Sequence, residues 1–440
     1  MVGSAARAPD SRAALPRVAV LCLFASLSVA ALAAGCGSSS SREIVLRFWA
    51  MGREGEVVAQ LLPEFEKNHP GIRVKVQQLP WTAAHEKLLT AFAGDVTPDL
   101  CQLGNTWIPE FVALNALEPL DRYAAASPVV HAADYFAGIW DTNRVDGRLY
   151  GVPWYVDTRL VFYRRDLLQQ AGFSAPPRSW AEWEQMLAAV AKRADPDRFA
   201  ILLPLNEGEP LLALALQQDE PLLRANGRWG NFEQAGFRRA LAFYLQMFQR
   251  GWAPSLGSAA IANVWYEFGR GRFVFYVSGP WNIGELRRRL PPEQQDRWMT
   301  APLPGPNGPG ASIAGGSSLV VFRASPHPAA AWRLIEFLSQ PSVQRRFHAL
   351  TGDLPPRRAT WADPELAADI PARAFREQLE RVKPAPKVPE WERIATEMRL
   401  VTEQAVHGQL SVDQAVRELD ARADRILEKR RWLLARRGAD

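Results

Sequence analysis

Three strand-like segments alternate with two helical segments between residues 44 and 103, and this order constrains the fold most. The strands are predicted at 44–49, 72–76 and 98–103, where apolar residues run together or alternate with polar ones. The helices are predicted around 57–65 and 82–94, where apolar residues recur at helical spacing. A β-α-β-α-β order of this kind indicates an open, mostly parallel α/β sheet.

The loops that follow the first and third strands are candidate ligand-binding segments. In open α/β sheets, ligands bind beyond the carboxyl ends of the strands. Glu54 lies in the polar loop after the first strand, and Asn105 and Trp107 lie in the loop after the third. Trp107 begins a predicted helix instead of lying on its apolar stripe. This position favours ligand contact over core packing for Trp107.

The chain beyond residue 150 supplies further candidates. Tyr155 and Asp157 lie in an extended aromatic stretch, and Trp281 lies in a Gly-Pro-Trp turn directly after an apolar strand. Gly315 and Gly316 lie within another predicted strand at 313–322, and glycine permits the backbone to approach a ligand closely. These residues are expected to line one site together with Glu54, Asn105 and Trp107.

Two α/β units joined by extended crossings predict a two-lobed α/β fold with a ligand cleft at the hinge. Each lobe is expected to be a mainly parallel sheet flanked by helices. We predict that residues 43–154 and 302–356 form the N-terminal lobe. Residues 155–301 and 357–440 are then predicted to form the C-terminal lobe. The crossing that starts at residue 302 is rich in Pro and Gly, which excludes regular structure there.

Residues 1–35 have the pattern of a secretory signal peptide. Arginines precede an apolar run at 18–34, which is shorter than the roughly 20 residues of a membrane-spanning helix. Leu-Ala-Ala-Gly precedes Cys36 and resembles a bacterial lipobox, although its leucine lies one place further upstream than usual. We expect cleavage before Cys36, lipid on that cysteine and a flexible tether over 36–42. Ordinary secretion is the alternative.

The cysteine count and the charge balance exclude several classes of protein. The chain has 3 Cys; Cys22 would leave with the signal peptide and Cys36 would carry lipid, so Cys101 has no partner for an intramolecular disulfide. The net charge of +5 is small for 440 residues, and the arginines are interspersed with acidic residues, so a nucleic-acid partner is not expected. No Cys/His cluster or phosphate-binding glycine loop occurs, and therefore no metal or cofactor is expected.

The candidate side chains suit a neutral ligand that is rich in hydroxyl groups. Aromatic faces pack on C–H surfaces, and carboxylates or amides bind hydroxyls, with each carboxylate accepting two of them. The aromatic candidates are Trp107, Tyr155 and Trp281, and the polar candidates are Glu54, Asn105 and Asp157. Two carboxylates in a cleft could also serve a glycoside-acting enzyme. No local catalytic motif supports that alternative.

An ordered series of motifs resembles family 1 of the extracellular solute-binding proteins of bacterial ABC importers. The similarity extends from about residue 44 to about residue 430. Each motif is weak alone, but the ordered set is a strong signal. They are Phe48-Trp49, 62–66, 68–74, 98–100, Gly151-Val152-Pro153-Trp154, 163–168, 177–180, Gly279-Pro280-Trp281, Gly315-Gly316 and Thr351-Gly352-Asp353-Leu354-Pro355.

The resemblance implies a receptor without a chemical step, whose two lobes close around a sugar that is then delivered to a membrane permease. It implies a monomer held outside the cytoplasm, in the periplasm where the cell has one, and a ligand of the maltose or trehalose type. The resemblance places Trp281 on a sugar ring and places Tyr155 and Asp157 in the cleft. Two further assignments have rivals: Glu54 competes with Glu56, and Arg357 competes with Arg358.

Overall fold

The computed structural model describes residues 43–192, 197–257, 260–261 and 263–437. The described residues from Ile44 onward belong to one compact unit. The predicted signal peptide, the tether and Cys36 lie outside the described residues. In the part of the chain that the structure describes, no helix has both the length and the apolar character needed to span a bilayer.

The first lobe is built on a five-stranded sheet with the order β2-β1-β3-β9-β4. At one edge of the sheet β2 pairs with β1, with Ile72 opposite Ile44. At the other edge β4 pairs with β9, with Asp157 opposite Gly315. The strands are β1 (Ile44–Met51), β2 (Ile72–Leu79), β3 (Leu100–Gly104), β4 (Val152–Asp157) and β9 (Gly315–Val321).

The second lobe is built on a four-stranded sheet with the order β8-β5-β7-β6. The strands are β5 (Leu160–Arg164), β6 (Phe199–Leu202), β7 (Phe273–Ser278) and β8 (Trp298–Ala301). Two-residue strand pairs lie outside the two sheets: Arg144–Val145 with Arg148–Leu149, Leu223–Arg224 with Trp229–Gly230, Pro304–Gly305 with Gly308–Pro309, and Ser312–Ile313 with Val382–Lys383.

Helices surround both sheets. Those before β5 are Gly52–Val57, Leu62–Asn68, Trp81–Ala93, Ile108–Ala113, Asp121–Ala125 and Ala137–Asp141. Those between β5 and β9 are Arg165–Gln170, Trp180–Lys192, Glu209–Leu216, Ala235–Gln249, Val264–Gly269 and Trp281–Arg289. Those after β9 are Pro328–Leu338, Pro341–Thr351, Pro364–Ala368, Ile370–Leu379, Trp391–Val406, Val412–Ile426 and Glu428–Arg437. A capping box of Ser411 and Gln414 begins the helix Val412–Ile426.

Helices cover both faces of the central strands, which explains why β3, β5 and β7 are buried along almost their whole length, while β2 at the edge alternates buried and exposed residues. Successive residues of a strand point to opposite faces. Leu100 therefore packs in one apolar cluster of the first lobe and Cys101 in another. In the second lobe, Val161 and Phe162 separate in the same way.

Both sheets are mainly parallel, as predicted, because four of the five strands in the first sheet and three of the four in the second run in the same direction, and only β9 and β5 are reversed. β1 pairs in parallel with β2 and β3, but β9 is antiparallel to both of its neighbours. In the second sheet β5 is antiparallel to both β7 and β8. The reason is the path of the chain, because β5 and β9 each enter a lobe from the cleft. They therefore begin at the edge where the parallel strands end.

The chain passes from the first sheet to the second between Asp157 and Leu160, and returns between Ala301 and Gly315. β4 thus continues three residues beyond the predicted end of the first N-terminal segment at residue 154. A third passage follows helix Pro341–Thr351, since later helices pack against the second sheet. The assignment of the remaining segments to lobes stays a prediction.

Candidate functional site

A cavity of about 530 Å³ lies between the two lobes, beyond the ends of several strands. Glu54 reaches it from the helix that follows β1, and Asn105 and Trp107 reach it from the 3₁₀ turn that follows β3. Asp157 ends β4, and Trp281 begins the helix that follows β7 by two residues. Parallel strands end at a common edge of a sheet, so these distant residues meet there.

Indole rings line both sides of the cavity. Trp281 comes from the second lobe, while Trp81 and Trp107 come from the first. The ring centroids of Trp81 and Trp107 are 5.8 Å apart in an edge-to-face contact, and His85 lies 4.9 Å from Trp107. Gly104 allows this packing, because a Cβ there would lie 3.2 Å from the indole of Trp107. The first lobe therefore presents a pair of mutually supported indoles.

The Trp281 indole is fixed by its own turn. A Cβ at Gly279 would lie 1.9 Å from Cζ3 of Trp281, so only glycine leaves room for this ring position. The guanidinium carbon of Arg159 lies 4.9 Å from the centroid of the same ring, which is within the range of a cation–π contact. Trp281 remains partly exposed toward the cavity. It is therefore both ordered and accessible to a ligand.

Carboxylates from both lobes share the cavity. Glu54, Asp157 and Asp353 adjoin the first sheet, and Glu209 and Glu392 belong to helices that pack with the second. Burial raises the pKa of Asp353 well above its ordinary value, and the charges of Glu54 and Asp157 raise it further. The cavity is thus an acidic environment, in which Arg159 is the cation in direct contact.

The pKa values of the other two carboxylates of the first lobe are also raised by burial, and neighbouring groups oppose part of each shift. Burial is the main reason that the pKa of Glu54 is raised, while hydrogen bonds with Tyr155 and Trp81 oppose that shift. Burial also raises the pKa of Asp157, and the adjacent Arg159 lowers it in part. Carboxylates in this setting accept hydrogen bonds from neutral donors such as hydroxyl groups, and their negative charge disfavours anionic ligands.

Tyr155 is buried at the floor of the cavity. Its hydroxyl accepts hydrogen bonds from Ser317 Oγ at 3.0 Å and Gln102 Nε2 at 3.2 Å. Burial raises the pKa of Tyr155 well above its ordinary value, and the charge of Glu54 adds to that effect. Tyr155 is therefore a neutral phenol beside a carboxylate, able to donate one hydrogen bond.

A second cavity of about 590 Å³ lies elsewhere between the lobes and is lined by segments around Asp146, Leu222 and Pro386. None of the residues that line it has an aromatic ring. Because it lacks stacking surfaces, the smaller aromatic cavity is the better candidate for ligand binding.

The model of a bacterial extracellular solute-binding protein family matches residues 60–374. The chain belongs to this family. It is similar to the sugar-binding protein MalE from the phytopathogen Xanthomonas citri, with 62% identity, a TM-score of 0.86, and coverage of 89% of this chain and 99% of the other. The resemblance drawn from the sequence motifs and the two-lobed α/β architecture are both confirmed.

Two more distant relatives extend the comparison. An uncharacterised lipoprotein of Streptomyces antibioticus is 28% identical over 390 residues, which is 83% of this chain and 84% of the relative. The GacH receptor of Streptomyces glaucescens, solved unliganded and with acarbose, is 23% identical with a TM-score of 0.75, and the match covers 87% of this chain and 98% of GacH. At that identity, GacH supports the fold of this solute-binding protein and nothing further.

The structure brings eight of the sequence-derived candidates to the cavity of this solute-binding protein. Gly315 and Gly316 are among them, but glycine is needed at these positions because of the neighbouring strand and not because of a ligand. A Cβ on either would lie 2.3 Å from a backbone oxygen of β4, that of Asp157 or of Tyr155. The complete set is Glu54, Asn105, Trp107, Tyr155, Asp157, Trp281, Gly315 and Gly316.

Asn105 lines the cavity, but one of the two polar groups of its side chain already forms a hydrogen bond within the protein. Its amide nitrogen donates to the backbone oxygen of Ala314 at 2.8 Å, which ties the loop after β3 to the segment before β9. The side-chain oxygen of Asn105 is the group left for a ligand donor.

Arg357 does not line the cavity, and its assignment there is corrected. Its guanidinium is buried, pairs with Asp134 at 2.6 Å and donates to the backbone oxygen of Ser339 at 2.8 Å. Its rival Arg358 pairs with Glu380, also away from the cavity. Glu56, the rival of Glu54, is exposed and accepts a hydrogen bond from Gln78.

Sequence reasoning missed five charged or aromatic residues of the cavity. Asp353 lies inside one of the family motifs, so that motif was the available signal. Arg159 follows the aromatic stretch by two residues, and Trp81 begins the helix after β2. No sequence pattern marked Glu392 as a cavity residue, because helix Trp391–Val406 lies far along the chain from the other segments that line the cavity. The missed residues are Trp81, Arg159, Glu209, Asp353 and Glu392.

Proposed function

We propose that this solute-binding protein captures a disaccharide or short oligosaccharide in the 530 Å³ cavity and delivers it to an ABC permease. The observation that carries the proposal is the combination of indoles and carboxylates from both lobes around one cavity. Indoles pack on the C–H faces of sugar rings, and carboxylates accept hydrogen bonds from hydroxyl groups. The cavity volume lies within the roughly 300–1,000 Å³ of small-molecule sites.

Ligand binding is proposed to act through closure of the lobes. A ligand that contacts Glu54 and Trp107 on one side and Trp281 and Glu209 on the other favours the closed state, because it loses half of its contacts when the lobes separate. The extended crossings between the sheets supply the hinge. The closed form is then the one that the permease recognises.

The ligand favoured by the motif resemblance is of the maltose or trehalose type, and the similarity to a sugar-binding MalE supports it. We further propose that lipid on Cys36 holds the receptor at the outer side of a bacterial membrane, in the periplasm where one exists. Similarity to a Streptomyces lipoprotein supports this anchoring. The receptor is proposed to act as a monomer without a cofactor.

A thermal-shift panel followed by calorimetry tests the ligand class. The panel contains maltose, trehalose, a galacto-oligosaccharide, mannitol, glucose and a sugar acid. A ligand at 100 times its Kd stabilises the folded state by about 2.7 kcal/mol. We expect a higher midpoint with at least one disaccharide or oligosaccharide and no change with the sugar acid. A panel in which no sugar raises the midpoint contradicts the proposal.

The same mixtures test the alternative of a glycoside-acting enzyme, which the cleft carboxylates would favour. Chromatography after prolonged incubation distinguishes the two functions. We expect the sugars to be recovered intact from the receptor. Hydrolysis that is lost in Glu54→Gln or Asp157→Asn would support the enzyme instead.

A further inference from the structure

Arg159 occupies a position in the hinge that no sequence motif identified. It lies between β4 and β5, in the first passage from one sheet to the other. Its backbone oxygen accepts a hydrogen bond of 2.6 Å from Oγ of Ser312, which belongs to the returning passage. The side chain is only 8% exposed, and it lines the aromatic cavity. The backbone of Arg159 therefore connects the two passages, while its side chain lines the cavity.

The guanidinium of Arg159 contacts groups of both lobes at once. Nη1 donates to Asp157 Oδ1 at 2.5 Å, and Asp157 ends a strand of the first sheet. Nη2 lies 3.6 Å from Oε1 of Glu209, which begins a helix of the second lobe. The guanidinium carbon lies 4.9 Å from the Trp281 ring centroid. One planar cation thus connects two carboxylates and an indole of the cavity.

We propose that Arg159 is a positioning residue, which packs against Trp281 and fixes this indole relative to Asp157 and Glu209 across the hinge. The effect on ligand affinity rests on the proposed function, in which a sugar stacks on the indole face that Arg159 leaves free. A guanidinium performs this role because it is planar, weakly hydrated and able to pair with two carboxylates while stacking on a ring. The compact ammonium of lysine pairs with one carboxylate but does not cover the indole.

Calorimetry on Arg159→Lys and Arg159→Met tests the effect on affinity. We expect Arg159→Met to weaken binding of the best sugar about tenfold, and Arg159→Lys to weaken it less. Arg164→Lys and Arg164→Met are matched controls, since Arg164 is equally buried and also pairs with an aspartate two residues away, Asp166. Arg164 lies off the cavity. Its variants should lower the melting temperature without changing the affinity.

A double-mutant cycle with Trp281→Ala separates positioning from direct ligand contact. If Arg159 acts through the indole, Arg159→Met should cost far less affinity when Trp281 is already absent. Equal losses in both backgrounds would show that Arg159 contacts the sugar itself, and the proposal would be wrong. Arg159→Lys retains the cation, so the cycle can be completed with lysine if the methionine variant does not fold.

A readout without ligand separates this proposal from the proposed function. In protein labelled with 5-fluorotryptophan, Trp281→Phe identifies the ¹⁹F resonance of Trp281. We expect that resonance to shift or broaden in the Arg159 variants and to stay unchanged in the Arg164 variants. An unmoved resonance in both Arg159 variants overturns the positioning role, whether or not a sugar binds. A shifted resonance supports it even if the sugar panel is negative.

Discussion

Trp281 begins the helix Trp281–Arg289, and its six-membered ring lies against Gly279 while Arg159 lies over the ring. From the sequence alone, this indole could be either part of the core or a surface for a ligand. Its contact with the cavity and its partial exposure favour the second role. Trp183, by contrast, is almost fully buried in the second lobe.

Trp281→Ala is expected to weaken sugar binding at least about tenfold, which corresponds to about 1.4 kcal/mol. The reason is the loss of stacking, worth about 0.5–1.5 kcal/mol, together with the apolar area that the sugar no longer buries. Calorimetry gives the affinity, and a melt without ligand gives the stability. Trp180 serves as control, because it stacks on Phe243 away from the cavity. Trp180→Ala should lower the melting temperature and leave the affinity unchanged.

Gly279→Ala is expected to weaken sugar binding by a similar factor, although it removes no contact group. The added Cβ would lie 1.9 Å from Trp281 Cζ3, so the indole must leave its position. Gly284→Ala in the following helix is the control. Its Cβ would meet only the flexible end of Arg288, and alanine in a helix is favoured by roughly 0.5–1 kcal/mol over glycine. Equal affinities for the two variants would contradict this prediction.

The sequence-based candidates that the structure brings to the cavity include residues that lie at the end of a strand or just beyond it. Glu54, Asp157 and Trp281 are such residues, and strand ends can be predicted from apolar runs. Arg357 was placed in the cleft from a motif alone, and the ion pair that buries it with Asp134 joins residues far apart in sequence. Asp353 was overlooked for the same reason, since its carboxylate neighbours come from other elements. Such pairings depend on tertiary structure.

At the scale of elements, the order of strands and helices at 44–103 and the mainly parallel sheets were predictable, and the reversed direction of β5 and β9 was not. The sequences of β5 and β9 have the pattern of ordinary apolar strands, and such a pattern does not show whether a strand pairs with its neighbours in parallel or antiparallel. Their antiparallel pairing follows from entry at the cleft, which is a property of the whole chain path. The same path brings Glu54, Asp157 and Asp353 to one edge, where each element end contributes a carboxylate.

Asp353→Asn is expected to stabilise the unliganded protein at pH 7.5. Burial and the nearby Glu54 and Asp157 raise the pKa of Asp353 above its unfolded value near 3.8. A raised carboxyl pKa means that its stabilising contribution is present below pH 4 and is lost as the pH rises through the folded value. The gain in melting temperature over the wild type should therefore shrink from pH 7.5 toward pH 4. A gain that is independent of pH would refute this assignment of charge.

As a control for that pH series, Asp363→Asn should behave in the opposite way. Arg345 pairs with Asp363 and holds its pKa below the ordinary value. Its contribution is present above pH 4 and is lost as the pH falls through the folded value. This substitution should therefore destabilise the protein at neutral pH, with a difference that disappears in acid.

At the scale of the whole molecule, the sequence predicted two lobes because two α/β units are linked by extended crossings. The return of helix Trp391–Val406 to the cleft was not foreseen. Its residue Glu392 has its pKa raised by burial, while Thr106 and His85 of the first lobe oppose that shift. Contacts of this kind connect the lobes at a point that neither local pattern nor family motif indicates.

Cys36→Ser is expected to release the receptor from membranes or to leave an uncleaved precursor. The apolar run that ends in small residues directly before Cys36 is the basis of this prediction. Fractionation and intact-mass measurement of the wild type and the variant test it. Cys101→Ser serves as the control, because Cys101 is a buried free thiol in the described part of the chain. Unchanged membrane association of Cys36→Ser with the mature mass would contradict lipid anchoring.

Saturating sugar is expected to decrease the radius of gyration in small-angle X-ray scattering. Contacts to Glu54 and Trp107 of the first lobe and to Trp281 of the second are made together only when the lobes are close, so the ligand shifts the population toward closure. Trp281→Ala at the same ligand concentration should show a smaller decrease, and full compaction should return when the concentration is raised in proportion to its weaker Kd. Binding by calorimetry without compaction would mean that the unliganded receptor is already closed. The hinge would then serve release of the sugar instead of its capture.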